Sequence, residues 1–197
     1  MKILILNNSK IYGEHPMKQP QTEIKVFLAS SSELELERAF IGDFFNDINS
    51  ILADNNVRVR LLKWEVFDPA YKGERKQTEY DHQVKKSDIF IVLFRTKAGK
   101  YTIEEAEVAK NEYTLNKKPQ ELYCFFQDWQ EKREFDADEL KSTLGADFIF
   151  DSFVDVVGLK LRVMGILSPH LCANGVSVTE TDKFVQIGAV NVLRKMG

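Results

Sequence analysis

The stretch Gly99-Lys100-Tyr101-Thr102-Ile103-Glu104-Glu105 places two adjacent carboxylates just after an apolar strand, in the first turn of a helix. When the N-glycosidic bond of NAD+ or a nucleoside breaks, positive charge develops on the anomeric carbon. A carboxylate held against that carbon can stabilise the charge or trap it covalently. Such chemistry needs neither a metal nor a histidine. His15, His82 and His170 lie far apart with no ligand spacing, and Cys124 and Cys172 supply neither a disulfide framework nor a zinc pattern, so no metal site is expected. A plainer reading competes for the same residues. Thr102 followed three positions later by Glu105 is a capping box, in which the glutamate would be spent on its own backbone. Spacing alone leaves both readings open.

The elements that must position these residues follow from the hydrophobic pattern. Short β-branched or aromatic runs alternate with segments of helical period, the pattern of a parallel sheet with crossover helices. Strands are expected at Ile24 to Ala29, Val57 to Trp64, Asp88 to Phe94, Leu122 to Phe126 and Phe148 to Phe150. Between them fall a helix opened by a Ser32/Glu35 capping box, with Leu36, Phe40, Phe44, Ile48 and Leu52 as its buried face and Asn55-Asn56 as its end. Further helices are expected from Arg75 to Lys86, from Thr102 to Leu115 and from Asp136 to Leu144. Five strands with right-handed crossovers make an α/β, flavodoxin-like, doubly wound parallel sheet with helices on both faces, whose ligand crevice lies at the carboxyl ends of the strands. That geometry gathers Ser30 and Ser31, the Trp64-Glu65 segment and the loop from Arg95 to Glu105 on one rim.

The organisation read from the sequence is an N-terminal extension over 1–23, the α/β domain over 24–150, a helical segment over 151–175 and a β-rich tail over 176–197. Pro169 is expected to stop the last helix. Short strands are expected at Val176 to Val178, Phe184 to Ile187 and Val190 to Leu193, turning at Asp182-Lys183 and Gly188. The tail reads as the start of a next module, with the chain as the N-terminal piece of a longer protein.

The formal charge of -3, from 27 Lys+Arg against 30 Asp+Glu, offers no bulk attraction to nucleic acid. Two cysteines fit a reducing compartment, and the expected location is cytoplasmic. Met1 to Leu6 is basic then apolar, stops at Asn7-Asn8 and lacks a small-residue cleavage site, so a signal peptide is not expected. No run is expected to cross a bilayer, and no membrane partner is expected.

Four blocks in order carry a resemblance: Lys25-Val26-Phe27-Leu28-Ala29-Ser30-Ser31 with Glu37-Arg38; Leu62-Lys63-Trp64-Glu65; Ser87-Asp88-Ile89-Phe90-Ile91; and Gly99-Lys100-Tyr101-Thr102 ahead of Glu105 and Ala109. Over roughly Ile24 to Phe126 the chain resembles the bacterial TIR-like (Toll/interleukin receptor) domains found at the N-terminus of multidomain signalling and defence proteins. The resemblance implies an NAD+ glycohydrolase in which a glutamate near the start of the helix, here Glu105, cleaves nicotinamide from NAD+, with Tyr101 as the aromatic residue four positions before it. It further implies Ser30 and Ser31 at the mouth, and a covering loop from Trp64 to Lys72. Activation by self-association is also implied, with NAD+ as substrate rather than cofactor.

Of the remaining rim residues, Glu65 is either a site group or a solvated charge. Phe67 could stack on nicotinamide or adenine or simply anchor its loop, and Arg95 could neutralise a pyrophosphate or lie exposed at a strand end. No glycine-rich phosphate loop is present. Two other readings stay in view: an adaptor that keeps the fold and only self-associates, and an enzyme similar to nucleoside deoxyribosyltransferases, acting on nucleosides or nucleotides.

Overall fold

The computed structural model describes residues 22–62 and 81–194. The expectations for Met1 to Leu6, for the strand end at Trp64, for the first part of the Arg75 to Lys86 helix, and for Trp64, Glu65 and Phe67 as site residues lie outside the described residues.

The strands are β1 (Thr22–Ser30), β2 (Val57–Leu62), β3 (Ile89–Phe94), β4 (Glu121–Gln127) and β5 (Phe148–Phe153), all parallel and ordered β2-β1-β3-β4-β5. This is the flavodoxin-like doubly wound sheet expected from the sequence. Each strand is legible in its side chains. All six residues of β3 are buried, because helices cover both faces of the central strand. Alternate residues serve opposite layers: Ile89, Ile91 and Leu93 face one core, and Phe90, Val92 and Phe94 the other. On the edge, β2 buries Val57 and Val59 while Arg58 and Arg60 stay exposed, which discourages another strand from pairing there.

Helix α1 (Glu35–Ile51) covers the first face together with α5 (Val156–Ala173). The second face is covered by α2, described over 81–86, with α3 (Lys100–Asn116) and α4 (Ala137–Leu144). Caps set several of these ends. The Asp136 side chain accepts from the Asp138 and Glu139 amides at 2.8 and 3.1 Å and opens α4; Gly145, at φ +83°, closes it. The Asp155 side chain accepts from the Gly158 amide at 2.8 Å and opens α5.

Three expectations are corrected. The Ser32/Glu35 capping box does not form. Ser32–Leu34 is a turn of 3-10 helix, Ser32 is exposed, and α1 begins at Glu35. The buried face of α1 is also rotated, leaving Leu36 71% exposed and Phe40 half-exposed. The stripe that is buried runs Leu34, Arg38, Ile41, Phe45, Ile48 and Leu52, with Glu37 and Phe44 beside it. Two charged residues, Glu37 and Arg38, lie at its start because they have polar partners at the carboxyl ends of β1 and β3. Third, Pro169 does not stop α5, which continues to Ala173. Proline removes a single amide donor, and apolar burial of Leu159, Val163, Met164, Ile166, Leu167 and Leu171 on the sheet outweighs that loss. By length and composition α5 is also long and apolar enough to cross a bilayer, with mean hydropathy 1.3, but a third of it is buried within the domain.

The tail forms an antiparallel three-stranded sheet, β6 (Val178–Glu180), β7 (Phe184–Ile187) and β8 (Val190–Arg194). The β7–β8 turn contains Gly188 at φ +58°, a backbone state that glycine adopts at little cost. Val176, Val185, Ile187 and Leu193 belong to the same apolar core as α1, α5 and the large sheet. Ile187→Ala, at a 1% exposed site, is therefore expected to destabilise the whole domain by about 2–4 kcal/mol. Denaturant unfolding followed by circular dichroism should show one shifted transition, and a separate early transition confined to the tail would contradict a shared core.

Candidate functional site

Strand order reverses between β1 and β3, so the chain leaves Ser30 toward α1 on one face and leaves Phe94 toward α3 on the other. The two connections diverge and a crevice opens between them. Gly99 is the N-cap of α3, and a Cβ placed on it would lie 3.9 Å from the Ser31 Cβ and 3.4 Å from Thr102 Oγ1. The structure thus brings Ser31, Gly99 and Thr102 together at the switch point.

Because α3 begins at Lys100, Thr102 is its third residue and not its cap; the Ile103 amide donates to the Gly99 carbonyl at 3.0 Å. The Thr102/Glu105 capping box expected from spacing is absent, and Glu105 sits in the second helical turn. Its side chain is 7% exposed, and no hydrogen bond among the described residues reaches its carboxylate. Burial raises its pKa to about 7, assisted by the Asp81 charge, opposed by the Arg38 guanidinium and raised again by Glu104. Glu105 is therefore poised between its acid and base forms at neutral pH, the condition expected of a working acid, base or nucleophile.

Arg38 has no counterpart among the site residues read from the sequence. Fully buried on α1, it donates through Nη1 to Ser30 Oγ and, at 2.8 Å, to the Ser31 carbonyl. Ser30 Oγ also donates to the Ser31 carbonyl at 3.2 Å. Both serines are buried, at and just after the end of β1. A signal was available: Arg38 interrupts the apolar stripe of α1 at a core position, where arginine is almost never found without buried partners.

Arg95 is not the exposed strand-end arginine that one reading allowed. Its guanidinium pairs with Glu37 Oε1 and donates at 2.5 Å to Gln127 Oε1 and at 3.1 Å to the Glu33 carbonyl; it also lies 4.6 Å from the Trp129 ring centroid. It joins α1 to the ends of β3 and β4. Tyr101, on the first turn of α3, is 68% exposed, whereas Glu105, one turn further on, is buried. Glu104 reaches out to Lys100, 3.7 Å away. Among the described residues no cluster of His, Cys, Asp and Glu able to hold a metal is found. A hollow of about 410 Å³ is lined by Lys183, Phe184, Asn191, Val192, Leu193 and Arg194, on elements that contribute none of the candidate residues.

Fold and site together define a flavodoxin-like α/β domain with a buried carboxylate at its topological switch point. No protein-family model matches the chain, and no curated protein matches it. Among the solved structures that resemble it distantly are the following two. One is the CMP N-glycosidase BcmB of Clostridium botulinum, at 16% identity and TM-score 0.45 over 73% of this chain and 99% of that one. The other is the Flv1 flavodiiron core of Synechocystis sp. PCC6803, at 12% identity and TM-score 0.36 over 70% of this chain and 32% of that one. At these values the assignment of the fold rests on the strand order.

The raised pKa of Glu105 has a stability consequence. Between 4.5 and about 7 the folded state holds a proton that the unfolded chain has lost, so stability falls as pH rises through this window. Above it the ionised form costs on the order of 3 kcal/mol. Glu105→Gln removes the charge and is expected to stabilise the domain by about 1–3 kcal/mol at pH 8 while matching the parent near pH 4. Urea titrations at the two pH values measure this, and equal stability at pH 8 would show that the carboxylate carries no burden of burial.

Proposed function

We propose that this domain is an N-glycoside hydrolase in which Glu105 stabilises the anomeric cation. One observation carries the reading: a buried carboxylate stands at the switch-point crevice with no hydrogen bond among the described residues to occupy it. Its ionised form supplies a negative oxygen in a site of low dielectric, where stabilisation of a cationic transition state is strongest.

The resemblance to TIR-like domains supports NAD+ as the substrate. The bond between the ribose anomeric carbon and the nicotinamide nitrogen breaks with its electron pair leaving on nicotinamide, which departs neutral. The ribosyl cation is held by the Glu105 carboxylate. Water then attacks the anomeric carbon and releases its proton to solvent, giving ADP-ribose; capture by the adenine ring gives a cyclised product instead. Self-association of the domain is the expected activator, and the reaction serves signalling or defence. The adaptor reading drew on a capping box that would have consumed Glu105, and with α3 capped at Gly99 that support is gone.

Concentrated or artificially clustered protein is expected to release nicotinamide from NAD+, followed chromatographically, and Glu105→Gln is expected to lower the rate by about 10²–10³-fold. Undiminished turnover by the variant would end the assignment. Release of free base from nucleotides or deoxynucleosides with NAD+ left intact would move the substrate class and keep the residue. Because the ionised carboxylate is the active form, the rate is expected to rise with pH through about 7; a rate that falls across that range would make Glu105 a proton donor instead.

A further inference from the structure

The two connections that form the crevice leave opposite faces of the sheet, and no strand pairing joins them beyond Ser30 and Leu93. Side chains span the gap, and one of them binds both connections through its carboxylate. Glu33, in the 3-10 turn after β1, accepts through Oε1 from the Thr96 amide at 3.0 Å, the Lys97 amide at 2.9 Å and the Ser31 hydroxyl at 3.0 Å. Its other oxygen, Oε2, accepts from the Thr96 hydroxyl at 2.5 Å. The backbone of the same residue is tied as well, its carbonyl accepting from Arg95 Nη1. The contacts with Arg95, Thr96 and Lys97 cross more than sixty positions of sequence.

We infer that Glu33 is a positioning residue: it clamps the β3–α3 connection against the β1–α1 connection, and so fixes the crevice width between Ser31 and the helix that carries Glu105. Three features support this. The carboxylate is used by both connections at once, with a donor from Ser31 on one side and three from Thr96 and Lys97 on the other. The clamped loop is short, running from Thr96 to the Gly99 cap, so its anchoring point sets where α3 begins. The same hydrogen bonds also favour the charged form of the carboxylate. Partial burial raises the Glu33 pKa, but the hydrogen bonds from Thr96, Lys97 and Ser31 outweigh it and leave the group below the ordinary glutamate value. A carboxylate serving only as a helix-start charge would not need partners on a second loop.

This inference rests on the proposed hydrolase reading for its catalytic consequence but not for its structural one, and the two separate experimentally. In the full chain, Glu33→Ala is expected to speed hydrogen exchange of the Thr96 and Lys97 amides at least tenfold and to lower kcat about 100-fold, with KM changed less, since misplacement of the reacting groups by about 1 Å costs that much. Glu33→Gln keeps an oxygen for the two amides and the serine hydroxyl, and the Thr96 hydroxyl can turn to accept from the new amide. It is expected to restore most of kcat and to stay folded if the alanine variant does not. Unchanged exchange at Thr96 and Lys97 in a folded variant overturns the clamp. Faster exchange with kcat intact overturns its positioning role. A parent protein that turns over no glycoside sinks the hydrolase reading alone, and the exchange of the two amides still decides the clamp.

Discussion

The reversal of strand order between β1 and β3 is the constraint on which the rest of the molecule depends. In a parallel sheet each strand must be followed by a crossover, and where the crossovers switch faces the two chain segments part company. At this point backbone pairing ends, and only side chains can span the opening. The chain answers with charge: Arg38 ties down the β1 end, Arg95 joins the β3 end to α1 and β4, and Glu33 reaches from one connection to the other. Glu105, buried in the second turn of α3, accepts no hydrogen bond among the described residues.

That contrast has an energetic meaning. Glu33 is partly buried and yet kept below the usual carboxylate range by four hydrogen bonds, whereas Glu105 is more deeply buried and lifted to about 7. Two glutamates near one crevice are thus driven in opposite directions, one toward permanent ionisation and one toward a balance of forms. A charge held by hydrogen bonds suits a structural tie, and one lifted toward neutrality by burial suits acid, base or electrostatic chemistry.

The same polar tier explains why α1 does not present the face its apolar residues suggest. Leu36 and Phe40 are turned outward because Glu37 and Arg38 are drawn in, toward Arg95 and the serines. Helical period located the helix, but the angle at which it lies was decided by ion pairing with residues about sixty positions away. The two capping boxes read from spacing failed for a related reason. A Ser/Thr-x-x-Glu pattern is a local option, and each was superseded when the chain entered its helix elsewhere, through a 3-10 turn at Ser32 and through Gly99 ahead of α3.

The strands and their parallel, doubly wound arrangement were legible in the sequence, because apolar runs such as Ile89 to Phe94 and the period of the intervening helices depend on neighbours along the chain. Tertiary structure alone decided that Glu105 is released from capping, that Arg38 is buried against Ser30 and Ser31, that Arg95 is engaged by Glu37 and Gln127, that α5 runs through Pro169, and that the small sheet shares the main core. Each of these outcomes is a contest between a local preference and burial or charge pairing with distant segments, and the energies of distant contacts are set only once the sheet has brought those segments together.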